Sequence, residues 1–405
     1  MIRKSNLFVI SVVVILSMML GLVSVAAQDD SGADLVIWAD ENVAPVLDGV
    51  KDSFAEDFGI TVEIQQIDFG NLRTQFAVAA PAGEGPDILI GAHDWLGEFV
   101  SNGLVLPVDL GDKADQFVQV GLDALTFDGQ LYGMPFQTEN VALFRNVDLV
   151  PEPVETLDEM IEIAEQLQAE GLVQQGYVLQ QADPFHFFGI QTAFGGGVFG
   201  QDEAGNYLPD ELLIDSEGSI AAAEWLDEQV KAGNLVGGID GDAATAMFAG
   251  GDAAFFITGP WNLQNFRDAG VNYAIDPIPA GDAGPGRPFS GVRGFFVSAF
   301  SDDPLLAQTF LTEVVATDGV MSQIVSNRAS AFIPTLENQD DPDLAAFAIA
   351  GENALPMPAI PEMGNVWAAW SDAITLVFNQ DATPEEAFTN AAEQIRTLIA
   401  EGSGE

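Results

Sequence analysis

Three times within residues 34–101 a short apolar run ends in polar or aromatic residues and gives way to a helical spacing. Asp34–Trp38 (DLVIW) leads into Ala39-Asp40-Glu41-Asn42, after which Val46, Val50, Phe54 and Phe58 keep helical spacing. Ile60–Ile67 leads into Asp68-Phe69-Gly70-Asn71 and a helix near Leu72–Ala80. Asp87–Ile90 leads through Gly91 into His93-Asp94-Trp95, and Leu96, Phe99 and Val100 follow at helical spacing up to Gly103. A β-α-β-α-β-α order predicts a parallel sheet with helices on its faces. In an open sheet of that kind the loops at the carboxyl ends of the strands share one rim, which is where ligands bind. The polar residues at all three strand ends therefore matter more together than any one of them does alone. A plain strand–loop–helix joint, with Trp95 merely packed, is the competing reading of the third.

Composition bounds what that rim can serve. Arg3 and Lys4, the apolar run Leu7–Val25 and the small residues Val25-Ala26-Ala27 describe a secretory signal peptide spanning 1–27, cleaved near Ala27, with an uncleaved anchor as the alternative. An extracytoplasmic protein, periplasmic or secreted, follows. The remaining chain, residues 28–405, is too long for one ordinary core and predicts two lobes. There is no cysteine, so disulfides, thiolate metal sites and a lipid-modified cysteine are excluded. With Arg3 and Lys4 removed, ten basic residues of the original 12 face 62 acidic ones, a net charge of −52. That field repels nucleic acid, anionic lipid and anionic substrates. The acids are spread along the chain as a solvated surface, and their excess over only four lysines suggests adaptation to salt.

Further along, Leu125–Tyr132 reads as a hairpin turning at Asp128-Gly129, and Phe136–Phe144 as a strand crossing between lobes with Glu139 and Asn140 in it. Thr156 to Glu159 has capping-box spacing ahead of a helix to about Gln168. Tyr177–Gln180 is a short strand. Asp183-Pro184-Phe185-His186-Phe187-Phe188 then sets a carboxylate among aromatics, and Gly195-Gly196-Gly197 lacks the lysine of a phosphate loop. Ser219–Ala232 is helical, as is Asp242–Phe248. Ala253–Thr258 is a strand, broken by Gly259-Pro260 directly before Trp261. Pro277–Pro288 and Asn327–Thr335 read as crossovers, Met357–Gly364 as extended, and Val366–Phe378 and Pro384–Ala400 as helices, the first carrying Trp367 and Trp370.

These residues give catalysis little support. His93 and His186 are the only imidazoles, no serine sits in a nucleophile elbow, and no metal-ligand spacing appears. Among 62 acids some pair at glycosidase separation is always arguable, so that signal carries no weight, although a secreted glycoside hydrolase stays the rival reading. No catalytic residue, metal or cofactor is expected. A neutral, hydroxyl-rich ligand fits better, because aromatic rings cover sugar faces while charged acceptors take hydroxyls. The candidate rings are Trp95, Phe185, Trp261, Trp367 and Trp370, and the candidate acceptors Asp40, Glu41, Asp94, Glu139 and Asp183, with Asn42 and Asn140 able to do both. Trp38 and Trp225 are read as core. A cationic or other non-α-glucoside solute is the second rival.

The whole chain after the leader resembles the maltose/maltodextrin-binding proteins, and more widely the extracellular solute-binding proteins that feed ABC importers. The resemblance rests on Leu35-Val36-Ile37-Trp38, on Gly85-Pro86-Asp87-Ile88 followed by Ala92-His93-Asp94, and on Tyr132-Gly133-Met134-Pro135 leading to Glu139. It continues through Phe248-Ala249-Gly250-Gly251-Asp252-Ala253-Ala254 with Gly259-Pro260-Trp261, and through Met357–Met363 leading to Trp367. It implies a periplasmic-binding-protein-like α/β fold: an N-terminal lobe of 28–138 and 283–332, a C-terminal lobe of 139–282 and 333–405, and a ligand cleft between them. It also implies an oligosaccharide ligand, an ABC permease as membrane partner and a monomeric state. By position it puts Asp94 and Glu139, with Asp40 or Glu41, on the sugar hydroxyls, and Phe185, Trp261 and Trp367 on the sugar faces. Gly91 and Trp95 depart from the family's pattern around the His-Asp pair, the basic residue after the first strand is missing, and Ser371 stands where an arginine is common.

Overall fold

The computed structural model describes residues 32–202, 205–325 and 327–402; the expected leader at 1–27 lies outside the described residues. β1 (Leu35–Ala39), β2 (Val62–Gln66) and β3 (Ile88–Ala92) are parallel and lie in the order β3-β1-β2. β1 and β3 are almost wholly buried, as strands covered on both faces must be. Between and after them run α1 (Ala44–Phe58), α2 (Phe69–Ala82) and α3 (Leu96–Ser101). α2 starts three residues earlier than its apolar spacing suggests, which brings Phe69, Gly70 and Arg73 into its first turns, beside the rim.

The expected crossing strand is two strands. β4 (Gly133–Asn140) and β5 (Ala142–Asn146) are separated only by Val141, yet they belong to different sheets. β5 pairs with β7 (Ala253–Thr258) and β8 (Tyr273–Asp276), and β6 (Gln175–Val178) completes a four-stranded sheet in the order β8-β5-β7-β6. The chain then returns. β9 (Phe289–Ser298) inserts between β3 and β4, antiparallel to both, in a sheet of eight strands. Short pieces at Val105–Leu106, Ala329–Ser330 and Leu355–Pro356 fill out that sheet. The architecture is thus two α/β lobes, one per sheet, joined by crossover segments.

The helix α4 (Leu157–Ala169) packs on β6 and β7 of the smaller sheet. It starts at Thr156, whose hydroxyl accepts the Glu159 N–H at 3.1 Å, as the spacing predicts; the Glu159 carboxylate reaches back one residue further, to the amide of Glu155. α5 (Pro184–Ala193) occupies the aromatic stretch for which the sequence suggested no element. α6 (Glu217–Ala232) packs against α7 (Trp367–Phe378) and α8 (Pro384–Gly402). Residues 361–365, expected to be extended, form a single 3-10 turn, and a small hairpin at Ala280–Gly281 and Gly284–Pro285 lies within the first crossover. Trp38 and Trp225 are buried, as expected of core residues. Among the described residues no helix is long and apolar enough to cross a membrane.

Candidate functional site

A cavity of about 500 Å³ opens where the carboxyl ends of β1 and β3 face the carboxyl end of β7. Nine of the predicted contacts line it: Asp40, Glu41, Asn42, Asp94, Trp95, Glu139, Phe185, Trp261 and Trp367. Asp183 does not. Asp-Pro here is a helix start: one Asp183 oxygen caps α5 by accepting the His186 N–H at 3.2 Å, and the other accepts from Gln180 at 2.6 Å and lies 2.9 Å from His186 Nδ1. Asn140 is also elsewhere, donating to the carbonyls of Val141 and Phe347.

The wall built on the large sheet is polar, and most of its charges are matched internally. Arg293 donates to Asp40 at 2.5 Å, and the same carboxylate accepts the Asn42 and Val43 N–H groups at the start of α1. Burial alone would push the Asp40 carboxyl up; Arg293 and the two amides outweigh it and hold it below the ordinary carboxylate value. Arg328 donates to Glu139 at 2.9 Å, and Gln137 donates to the same carboxylate oxygen at 3.0 Å. Asp94 is 4 % exposed and accepts the Trp367 indole N–H at 3.0 Å. Burial pushes its carboxyl up to about 6, with the Arg73 guanidinium and the indole bond offsetting only part of that. Arg73 lies 3.6 Å from Glu98. His93 is no open base: it is buried, its Nδ1 accepts the Val292 N–H at 3.1 Å, and burial pulls it down to about 4, so it is a neutral brace between β3 and β9.

Arg73, Arg293 and Arg328 are the residues that sequence reasoning missed. Their partners lie up to 253 positions away, so no spacing could reveal them. The available signal was scarcity: in a chain so acidic, an arginine is expected to be spent on a carboxylate that matters.

The facing wall is aromatic. Trp261 follows the Gly259-Pro260 break and lies so close over Gly259 that a Cβ there would fall 2.1 Å from the indole. Phe185 lies beside it, with ring centroids 6.2 Å apart. Trp367 stacks at 5.9 Å on Trp370, which is wholly buried and donates its N–H to Gln191; Trp370 supports the site from behind and does not line it. Trp95 sits on the other wall, against Gly91, and stacks on Phe69 at 5.0 Å. It is 8 % exposed, so most of its surface is used inside the protein. Ser371, in the arginine's expected place, donates to the carbonyl of Ala182. Among the described residues no cluster of His, Asp or Glu could hold a metal ion.

Residues 50–348 match the family of bacterial extracellular solute-binding proteins. The chain is 28% identical over 393 residues to a galactooligosaccharide-binding protein of Bacillus subtilis, spanning 93% of this chain and 92% of the relative. It is 28% identical over 357 residues to a maltotriose-binding protein of Pyrococcus abyssi, spanning 84% of this chain and 76% of the relative. In three dimensions it resembles the Thermus thermophilus maltotriose binding protein bound with maltotriose, with a TM-score of 0.80, 29% identity, and coverage of 90% of this chain and 100% of that one.

Proposed function

This chain belongs to the bacterial extracellular solute-binding proteins, and on that premise we propose that its cleft captures a neutral oligosaccharide, of the maltose/maltodextrin or a related α-glucoside class, and delivers it to the membrane permease of an ABC importer. The observation that carries this reading is the pairing of the two walls. Trp261, Phe185 and Trp367 offer apolar surface for sugar rings, while Asp40, Glu139 and Asp94 stand opposite, already bound to Arg293, Arg328 and the Trp367 indole. Carboxylates neutralised by guanidinium groups still accept hydroxyls and present little net charge to a ligand. The named relatives support an oligosaccharide; because one of them is named for galactooligosaccharides, a galactooligosaccharide is the second reading.

The lobes proposed are 28–138 with 283–332, and 139–282 with 333–405; the confinement of the smaller sheet to residues 142–276 supports that division. A ligand held by both walls gains its full contacts only when the lobes close, and so shifts the open–closed balance by its differential affinity. The permease would read the closed form. The protein is proposed to act as a monomer, without turnover and without a cofactor, after cleavage near Ala27, which amino-terminal sequencing of secreted material checks. The deciding experiment is a tryptophan-fluorescence titration of the mature protein with maltose, maltotriose, trehalose, sucrose, a cyclodextrin and a galactooligosaccharide. Saturation by an α-glucoside at a micromolar dissociation constant, about −8 kcal/mol, is expected. Saturation by the galactoside alone, or appearance of hydrolysis products, overturns the reading.

A further inference from the structure

Three rings meet at the edge of the aromatic wall, and one of them does not line the cavity. His186 packs edge-to-face on Trp261, with centroids 5.6 Å apart and planes at 79°, and meets Phe185 at 6.0 Å and 77°. It is 5 % exposed. Its Nδ1 lies 2.9 Å from the Asp183 carboxylate, off the line of an aligned hydrogen bond, and both ring nitrogens are buried with no hydrogen-bond partner among the described residues. Burial would raise the Asp183 carboxyl, yet the neighbouring imidazole and amides hold it low, so a negative charge is kept beside the ring.

We infer that His186, anchored by Asp183, is a positioning residue that sets the pose of Trp261. The inference rests on the sugar reading only for its consequence in binding. Trp261 needs such support because its own backbone supplies little: it lies in a three-residue 3-10 turn after Gly259, and Gly259 gives the indole a seat but no lateral wall. A phenylalanine at 186 would fill the space without stranding a buried nitrogen, so packing alone does not account for an imidazole. What a carbon ring lacks is an atom to tie. The close approach of the Asp183 carboxylate to Nδ1 draws that edge of the imidazole toward α5 by electrostatic attraction, and the imidazole so held walls the indole. Asp183 joins this device to the start of α5, because its other oxygen caps the helix through the His186 N–H.

The test compares wild type, Trp261→Phe, Trp261→Ala, His186→Phe, His186→Ala and Asp183→Asn, each first confirmed as folded by a cooperative thermal melt. The contribution of Trp261 to near-ultraviolet circular dichroism is the wild-type spectrum minus that of Trp261→Phe, in sugar-free protein. It should fall at least two-fold when the same subtraction is made in the His186→Ala background, and less in Asp183→Asn, which keeps a capping oxygen. Maltotriose serves as the binding probe. His186→Phe should weaken it about five-fold in the wild-type background and not at all when Trp261 is already alanine, a non-additivity that general loosening of the fold would not produce. An unchanged Trp261 dichroism signal, or a His186→Phe penalty that persists beside Trp261→Ala, overturns the inference. If wild type ignores maltotriose while the dichroism signal collapses as expected, the sugar reading fails and the positioning role stands.

Discussion

Trp95 and Trp261 are placed by the same local device in the two sheets, and they end in different states. Each follows a strand, and each lies over a glycine that a Cβ would make impossible: Gly91 under Trp95, Gly259 under Trp261. Trp95 is then covered by Phe69, which in turn carries the Arg293 guanidinium at 4.1 Å, and the whole stack closes into the large lobe. Trp261 meets Phe185 and His186 only at its flanks and stays half-buried at the cavity. A glycine seat therefore does not make a ligand platform. What covers the second face of the indole decides between core and site.

That contrast can be broken, and the largest effect should come from the layer above Phe69. Arg293→Ala leaves Asp40 buried without its cation and should cost about 3–5 kcal/mol of stability in urea unfolding. Trp95→Ala should cost about 3–5 kcal/mol of stability, as truncation of a buried tryptophan does, with the smaller part of its effect in binding. A Trp95→Ala protein that kept its stability and lost its ligand would erase the distinction drawn here.

Asp94 tests the seam between the two walls. Its carboxyl is raised from 3.8 to about 6, so between those values the folded protein holds more proton than the unfolded chain. Stability is then highest below the unfolded value and falls as pH rises through about 6, leaving ionised Asp94 a burden of up to about 3 kcal/mol at neutral pH. Asp94→Asn, whose amide oxygen can still accept the Trp367 indole, should raise the melting temperature at pH 7.5 and leave it nearly unchanged at pH 4. Trp261→Ala should weaken sugar binding by about 1–3 kcal/mol in calorimetry, with less loss of stability than Trp95→Ala. The smallest effect is expected from salt. Added NaCl should stabilise so acidic a surface while leaving the Trp261→Ala penalty unchanged.

Much of this arrangement was legible because it is local. The β-α order, a crossing between sheets within Phe136–Phe144 and the Thr156 cap all follow from residues close together in sequence. Asp183 was misplaced although its signal was present: Asp followed by proline is a helix start, and His186 stands where the capped amide falls. The hairpin Phe199–Gln201 with Tyr207–Leu212 and the helix Pro342–Ala350 escaped because their alternation is interrupted by charges and small residues. The arginines were illegible for another reason. Arg328 reaches Glu139 across 189 positions, and only the closed sheet makes them neighbours.

The place of β9 carries a consequence for how the chain comes into being. The centre of the large sheet stays open until Phe289–Ser298 slides between β3 and β4, although β1 to β3 are finished by residue 92. The entire smaller sheet, residues 142–276, is synthesised inside that interval. An emerging chain thus carries an unpaired edge on β3, and later on β4, until residue 289 is reached, and closing them demands contacts between residues about 150 to 200 positions apart, which form slowly. A lobe whose central strand arrives late is a built-in delay to folding.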